Sequence, residues 1–192
     1  DDVTAGGDLA WDAGHGLTLH ALASLYDRSD DYTSPGIAPL DQVPPNGASN
    51  DLGRQNAALR AAWASARITG TVGVDYQRES GQSDGYVEFA PGVVVPNSFD
   101  LDRDIVGLFA EARARLAAPW ILQASIRRDD PDGTDDETTG KVGTSYTLPN
   151  GSTRLRANWG TGFKLPSFFA LGSPLVGEPT LRPEESRSLD VG

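Results

Sequence analysis

The sequence predicts an all-β fold, an antiparallel up-and-down segment of a transmembrane β-barrel, on three observations. Seven stretches alternate apolar and polar residues with a period of two: Leu17 to Leu25, Ala57 to Trp63, Ile68 to Arg78, Val106 to Leu116, Trp120 to Ile126, Val142 to Leu148 and Thr153 to Trp159. Successive side chains of a strand point to opposite faces, so each stretch separates a dry side from a wet one. The connections between them alternate short and long, as in barrels with tight periplasmic turns and longer outer loops. Aromatic residues mark the ends of the apolar faces, the positions of interfacial girdles.

Each element follows in order. A first strand ends near Trp11, turns at Ala13-Gly14-His15-Gly16 and returns from Leu17 to about Asp30. Asp31 to Asn50, with Pro35, Pro44 and Pro45, reads as a long polar connection. Asp51 to Ala64 and Arg67 to Ser80 form the next pair, joined near Ser65, and Gly81 to Asp100 reads as a second long connection. Strands follow at Leu101 to Ala117 and Trp120 to Asp129, with Ala118-Pro119 between them. An acidic connection, Asp130 to Glu137, precedes strands at Thr138 to Leu148 and Ser152 to Thr161. Pro149-Asn150-Gly151 between those two is hairpin chemistry, since Asn and Gly accept positive φ. Gly162 to Pro183 is a third long connection, and the last strand begins near Glu184.

In Ile68 to Arg78, Ile68, Gly70, Val72, Val74 and Tyr76 share the apolar face. Trp11, Trp63, Trp120 and Trp159 all fall on the apolar parity of their strands. Trp11, Trp63, Trp120 and Tyr146 lie beside short turns, while Tyr76 and Trp159 lie toward the long-loop ends. The opposite faces carry Arg60, Asp75, Glu111, Arg113, Arg127, Lys141 and Arg156, as a polar lumen requires. A two-layer soluble sandwich also alternates, with its charged face in water. Val72, Leu108, Leu122 and Leu155 packed together in a closed core would mark that rival.

Composition narrows the function. The chain has 192 residues and a formal net charge of -11, against nucleic-acid binding through phosphates, which needs clustered Lys and Arg. It has no cysteine, so disulfide frameworks and thiolate metal sites are excluded. The start, Asp1-Asp2-Val3-Thr4, lacks the basic and apolar regions of a signal peptide. No apolar run has the length of a transmembrane helix, which leaves strands as the means of crossing.

Catalysis finds little support. His15 lies in a tight turn and His20 on a lumen-facing parity, so no acid–base constellation forms in sequence. Gly160-Thr161-Gly162 lacks the Gly-Lys-Ser/Thr that completes a nucleotide loop, and no cofactor is expected. Asp129 to Glu137 clusters hard oxygen ligands around Gly133, but not at EF-hand spacing. It reads as a solvated acidic turn, with weak calcium binding as the alternative. Loop aromatics Tyr32, Tyr86, Phe89, Phe99, Phe168 and Phe169 can stack on a flat ligand or pack loops together.

The last stretch, A-N-W-G-T-G-F-K-L-P-S-F-F-A-L-G-S-P-L-V-G-E-P-T-L-R-P-E-E-S, resembles the barrel of TonB-dependent outer-membrane receptors. Gly160, Gly162, Phe163, Lys164, Pro166 and Ser167 match the first half of the family motif. Gly177, Pro179, Leu181, Pro183, Glu184 and Ser186 match the second, with Glu178 standing where the family usually has Asn. The physical reading of the motif is structural: glycines permit a sharp exit from a strand, and Pro183 can stand only at a strand's start. The resemblance implies an active transporter in the outer membrane of a Gram-negative cell, importing a ferric siderophore, cobalamin or haem. It implies as partners the surrounding lipid, a plug domain and TonB. The chain is expected to be one piece of such a barrel, without plug, signal peptide or closing C-terminal strand. A passive porin and an outer-membrane barrel enzyme are the rivals.

Overall fold

The computed structural model describes residues 1–37 and 43–192. Ten strands form one antiparallel sheet: β1 (Asp2–Gly14), β2 (Leu17–Ser34), β3 (Asn46–Ala64), β4 (Ile68–Ala90), β5 (Val93–Pro96), β6 (Phe99–Ala117), β7 (Trp120–Pro131), β8 (Glu137–Thr147), β9 (Arg154–Lys164) and β10 (Glu184–Val191). A single short helix, α1 (Phe168–Gly172), lies between β9 and β10. The order is β1-β2-β3-β4-β6-β7-β8-β9-β10, with β5 folded back on the end of β4. Apart from the short β5, each strand thus pairs with the next along the chain, the up-and-down arrangement that alternation predicts.

Two predicted connections are largely strand. The polar stretch 31–50 holds the end of β2 and the start of β3, although residues 38–42 lie outside the described residues. Residues 81–100 complete β4, form β5 and open β6. The reason is physical. Outside a bilayer both faces of a strand meet water, so the period-two signal vanishes while the backbone ladder continues. Hydrophobic alternation therefore marks where lipid begins, not where a strand ends. The connection after β9 also starts later than predicted, at residue 165, and contains α1.

Register tests the two-faced reading directly, because residues opposite one another in a ladder share a face. One row runs Trp11, Leu19, Ala61, Val72, Ala110, Ile126. A second runs Trp63, Gly70, Ala112, Ala124, Val142, Trp159, Leu189. Between them, on the other face, stands Thr71, Glu111, Ser125, Lys141, Gly160, Ser188. Seven independent polar/apolar patterns agree in phase.

Among the described residues nothing packs against the apolar face. Val72, Leu108 and Leu155 are 56%, 57% and 51% exposed, and Ile105 is the only buried hydrophobic residue among those described. The sandwich rival required a closed core here, and there is none. A continuous apolar surface of this extent marks contact with lipid or a partner. Its height fits lipid: the apolar parity of β4 spans Ile68 to Tyr76, against the ~9–11 residues a tilted strand needs to cross.

Glycine surroundings give the curvature. A Cβ at Gly73 would stand 2.6 Å from the Phe109 ring, and one at Gly107 would stand 2.7 Å from an Asp75 carboxylate oxygen. On the apolar face, Gly70 and Gly140 have nothing nearer than 3.5 Å. Side chains converge on the polar face and diverge on the apolar one, so the polar face is concave and lines the lumen.

The β1–β2 turn is built on left-handed backbone at Gly14, His15 and Gly16, with φ of 82°, 56° and 78°. At Gly16 a Cβ would also run into the Ala64 backbone. Gly16→Ala is expected to lower the stability of the assembled barrel by at least ~1–2 kcal/mol. Denaturant titration of the receptor in detergent micelles checks this.

Candidate functional site at the outer lumen

The buried residues gather at one place. Glu79, Ser83, Ile105, Asp129 and Pro131 all lie on the lumen face, at the end of the sheet away from the tight turns. Two charge clusters organise that level. The Arg127 guanidinium donates to both carboxylate oxygens of Asp75 at 2.7 and 2.8 Å. Its Nε donates to Asp129 at 2.8 and 2.9 Å. Such bidentate pairing fixes orientation as well as charge. Two repeats of the pleat further out, Glu79 accepts from Arg54 at 2.8 Å, from Gln77 at 2.8 Å and from Arg103. Arg54, Glu79 and Arg103 sit opposite one another on β3, β4 and β6, so register alone brings them together.

Residues 165–183 form a strap that leaves β9 and reaches the lumen side of β4 and β6. Ser167 caps α1, its Oγ accepting from the Ala170 N–H at 3.2 Å. Arg103 Nη1 donates to the Pro166 carbonyl at 3.1 Å, and its guanidinium lies 5.1 Å from the Phe168 ring centroid. Phe168 also rests on Gly81, where any Cβ would collide with the ring. Phe169 meets Phe99 edge-to-face, with centroids 6.4 Å apart at 70°. Gly172 fits where a Cβ would come within 2.8 Å of Phe99 and Leu101, and buried Ser173 donates its hydroxyl proton to Asn97 Oδ1 at 2.7 Å.

Of the six loop aromatics, the fold thus brings Phe99, Phe168 and Phe169 together. Tyr32 stands on β2, Phe89 near the tip of β4, and Tyr86 over Gly47, 3.0 Å from where a Cβ there would be. None of these three makes a ring–ring pair among the described residues. Sequence reasoning missed Arg54, Glu79, Arg103, Asn97 and Ser173. The signal for the first three was an Arg, Glu, Arg series at one level of three strands, legible only once register is known.

The motif residues shape backbone. Gly160 pairs with Lys141 and Ser188, leaving no room for a Cβ, which would come 2.9 Å from Lys141 Cγ. Gly162 faces Ser186, whose hydroxyl donates to the Gly162 carbonyl at 3.2 Å. Phe163 and Lys164 end β9 opposite Glu185 and Glu184, and Pro183 directly precedes β10. The Gly177 N–H donates to the Ser173 carbonyl at 2.7 Å, and the Leu181 N–H to the Glu178 carbonyl at 3.2 Å across Pro179. Glu178, the departure from the motif, accepts from the Thr180 N–H at 3.1 Å and hydroxyl at 2.7 Å, a turn that Asn also makes. Those bonds hold its carboxyl below the ordinary range. They secure the turn at neutral pH and are lost as pH falls through that lowered value.

Two acids of the stretch 129–137 form ion pairs: Asp129 with Arg127, and Asp136 with Arg128. Among the described residues no three His, Cys, Asp or Glu converge as metal ligands. His20 lies opposite Arg60 on the lumen face, and Arg60 lies 5.6 Å from the Phe109 ring centroid.

Comparison with known proteins agrees with this geometry. The family model described as TonB dependent receptor-like, beta-barrel matches residues 1–192. The vitamin B12 transporter BtuB of Photobacterium profundum is 33% identical over 90 residues, 47% of this chain and 14% of that protein. The BtuB of Vibrio vulnificus is 30% identical over 125 residues, 65% of this chain and 19% of that protein. The matches therefore span less than a fifth of these relatives. Among solved structures, the copper transporter OprC superposes over 100% of this chain and 35% of its own, with TM-score 0.77 and 17% identity. The siderophore receptor PiuA from Acinetobacter baumannii does so over 100% and 37%, with TM-score 0.72 and 13% identity. At such identity these two likenesses speak for the fold. With the match over its whole length, the chain belongs to the TonB-dependent receptor β-barrel family.

Proposed function

We propose that this chain forms part of the wall of an outer-membrane receptor in a Gram-negative envelope, one that imports a scarce, bulky nutrient with energy delivered through TonB. The observation that carries the reading is the division of one sheet into an unpacked apolar face, rimmed by indoles, and a concave charged face. The apolar face takes lipid. The concave face surrounds a plug that belongs to the same receptor. The likeness to vitamin B12 transporters favours cobalamin as the nutrient, with ferric siderophores and haem as the further members of the class.

The strap carries the ligand surface. Phe169 and Val176 are exposed upon it, an aromatic and an aliphatic contact beside the lumen mouth. A corrin ring or an aromatic chelate offers a flat face that such residues cover at little entropic cost. In the full-length receptor, Phe169→Ala is expected to weaken binding of labelled cyanocobalamin to whole cells about tenfold, or ~1.4 kcal/mol. Unchanged affinity removes the strap from the binding surface. Uptake that persists in cells lacking TonB turns the reading toward a passive porin.

A further inference from the structure

Arg103 lies outside the family motif, yet every contact it makes is directed at the strap or at the group that anchors it. One end of its fork meets Glu79, and Nη1 reaches back to the Pro166 carbonyl at 3.1 Å. The Phe168 ring covers the guanidinium face, 5.1 Å from centroid to Cζ. Its Nε is buried and has no partner. An orphaned donor in a buried site costs stability, and native proteins keep such groups mainly where position matters more than energy.

The neighbouring pair sharpens the point. Glu79 is already paired with Arg54 at 2.8 Å, so Arg103 is not needed to neutralise it. A positive charge alone would therefore serve no purpose here. What a guanidinium adds is planarity: a fork that bonds two acceptors while its face stacks on a ring, which an ammonium cannot reproduce.

We propose that Arg103 is a positioning residue for the ligand site, holding residues 166–169 by its planar fork so that Phe169 is presented at the lumen mouth. The assignment of a ligand surface to the strap rests on the function proposed above. The fork fixes Pro166 and Phe168, and Phe169 follows because it is the next residue of the same short helix. Charge at position 103 is secondary to shape.

The test uses full-length receptor in outer-membrane vesicles, with Val176→Cys spin-labelled on the strap; the chain has no cysteine of its own. Arg103→Lys, Arg103→Ala and Phe168→Leu are compared, the last leaving the charge cluster untouched should Arg103 variants fail to assemble. The label is expected to move severalfold faster in all three, with lysine failing to restore the native line shape. A label as immobile in Arg103→Lys as in the parent, or as immobile in Phe168→Leu, overturns the proposal. Cyanocobalamin binding, measured on unlabelled receptors that keep Val176, is the second readout. Arg103→Lys is expected to raise its dissociation constant about tenfold at unchanged receptor number. A mobilised strap with unchanged affinity removes Arg103 from the ligand site. A parent receptor that binds no cyanocobalamin, with the strap still mobilised by the variants, refutes the cobalamin reading and leaves the positioning role standing.

Discussion

Replacing Arg127 with leucine is expected to destabilise the assembled receptor by about 1–3 kcal/mol, less than for a fully buried ion pair because the Arg127 side chain is 36% exposed. The loss comes from what stays behind. Asp129 keeps a side chain only 4% exposed and Asp75 one 22% exposed, and both lose their bidentate donor. A half-buried arginine adds little stability in itself, but two carboxylates left without their shared donor in the lumen wall are costly. Arg127→Lys is expected to recover less than half, because one ammonium cannot serve two carboxylates in a plane. Gly107 belongs to the same device: the space a Cβ would occupy is filled by the Arg127 fork and Asp75. Urea unfolding of detergent-solubilised receptor, followed by tryptophan emission, measures both Arg127 variants. An unchanged midpoint in Arg127→Leu contradicts the pairing.

The second large effect separates adjacent residues. Ala110 lies in the apolar row between Val72 and Ile126, whereas Glu111 lies in the polar row between Thr71 and Ser125. Arginine at 110 must sit near the middle of the hydrocarbon, at about 2–4 kcal/mol. Arginine at 111 faces the aqueous interior and is expected to cost under ~1 kcal/mol. Folding the two variants into lipid vesicles and comparing their equilibrium stability gives the contrast in one experiment. Equal tolerance at both positions contradicts the assignment of the two faces.

Much of the fold was legible because the bilayer writes a strong rule into the sequence. Between Ile68 and Tyr76 every second side chain meets hydrocarbon, and the period-two pattern located β4 there without help. From Gly81 to Ala90 the same strand continues in water, where Gly, Ser, Asp and Tyr are equally acceptable on both faces, and the pattern carried no information. The site divides in the same way. Phe168 and Phe169 stood out as aromatics beside a motif, but Glu79 and Arg103 are separated by 24 residues and become partners only through ladder register. Nothing local distinguishes either from the other charged residues of the lumen wall. Asp129 shows the converse: its acidic surroundings read as a solvated turn, and its partner is Arg127, two positions away.

The strands do not rise to a common height. β4 continues from Tyr76 to Ala90, roughly 45 Å along its axis at about 3.3 Å per residue, whereas β7 stops at Pro131, a few residues past Ile126. The rim is therefore a parapet on one side and a low sill on the other, with the strap running from the sill at β9 to the parapet at β4 and β6. Along this part of the wall the tallest stretch runs over β3 to β6 and the lowest over β7 to β9. The strap therefore ties the low side of the wall to its high side, from β9 to β4 and β6.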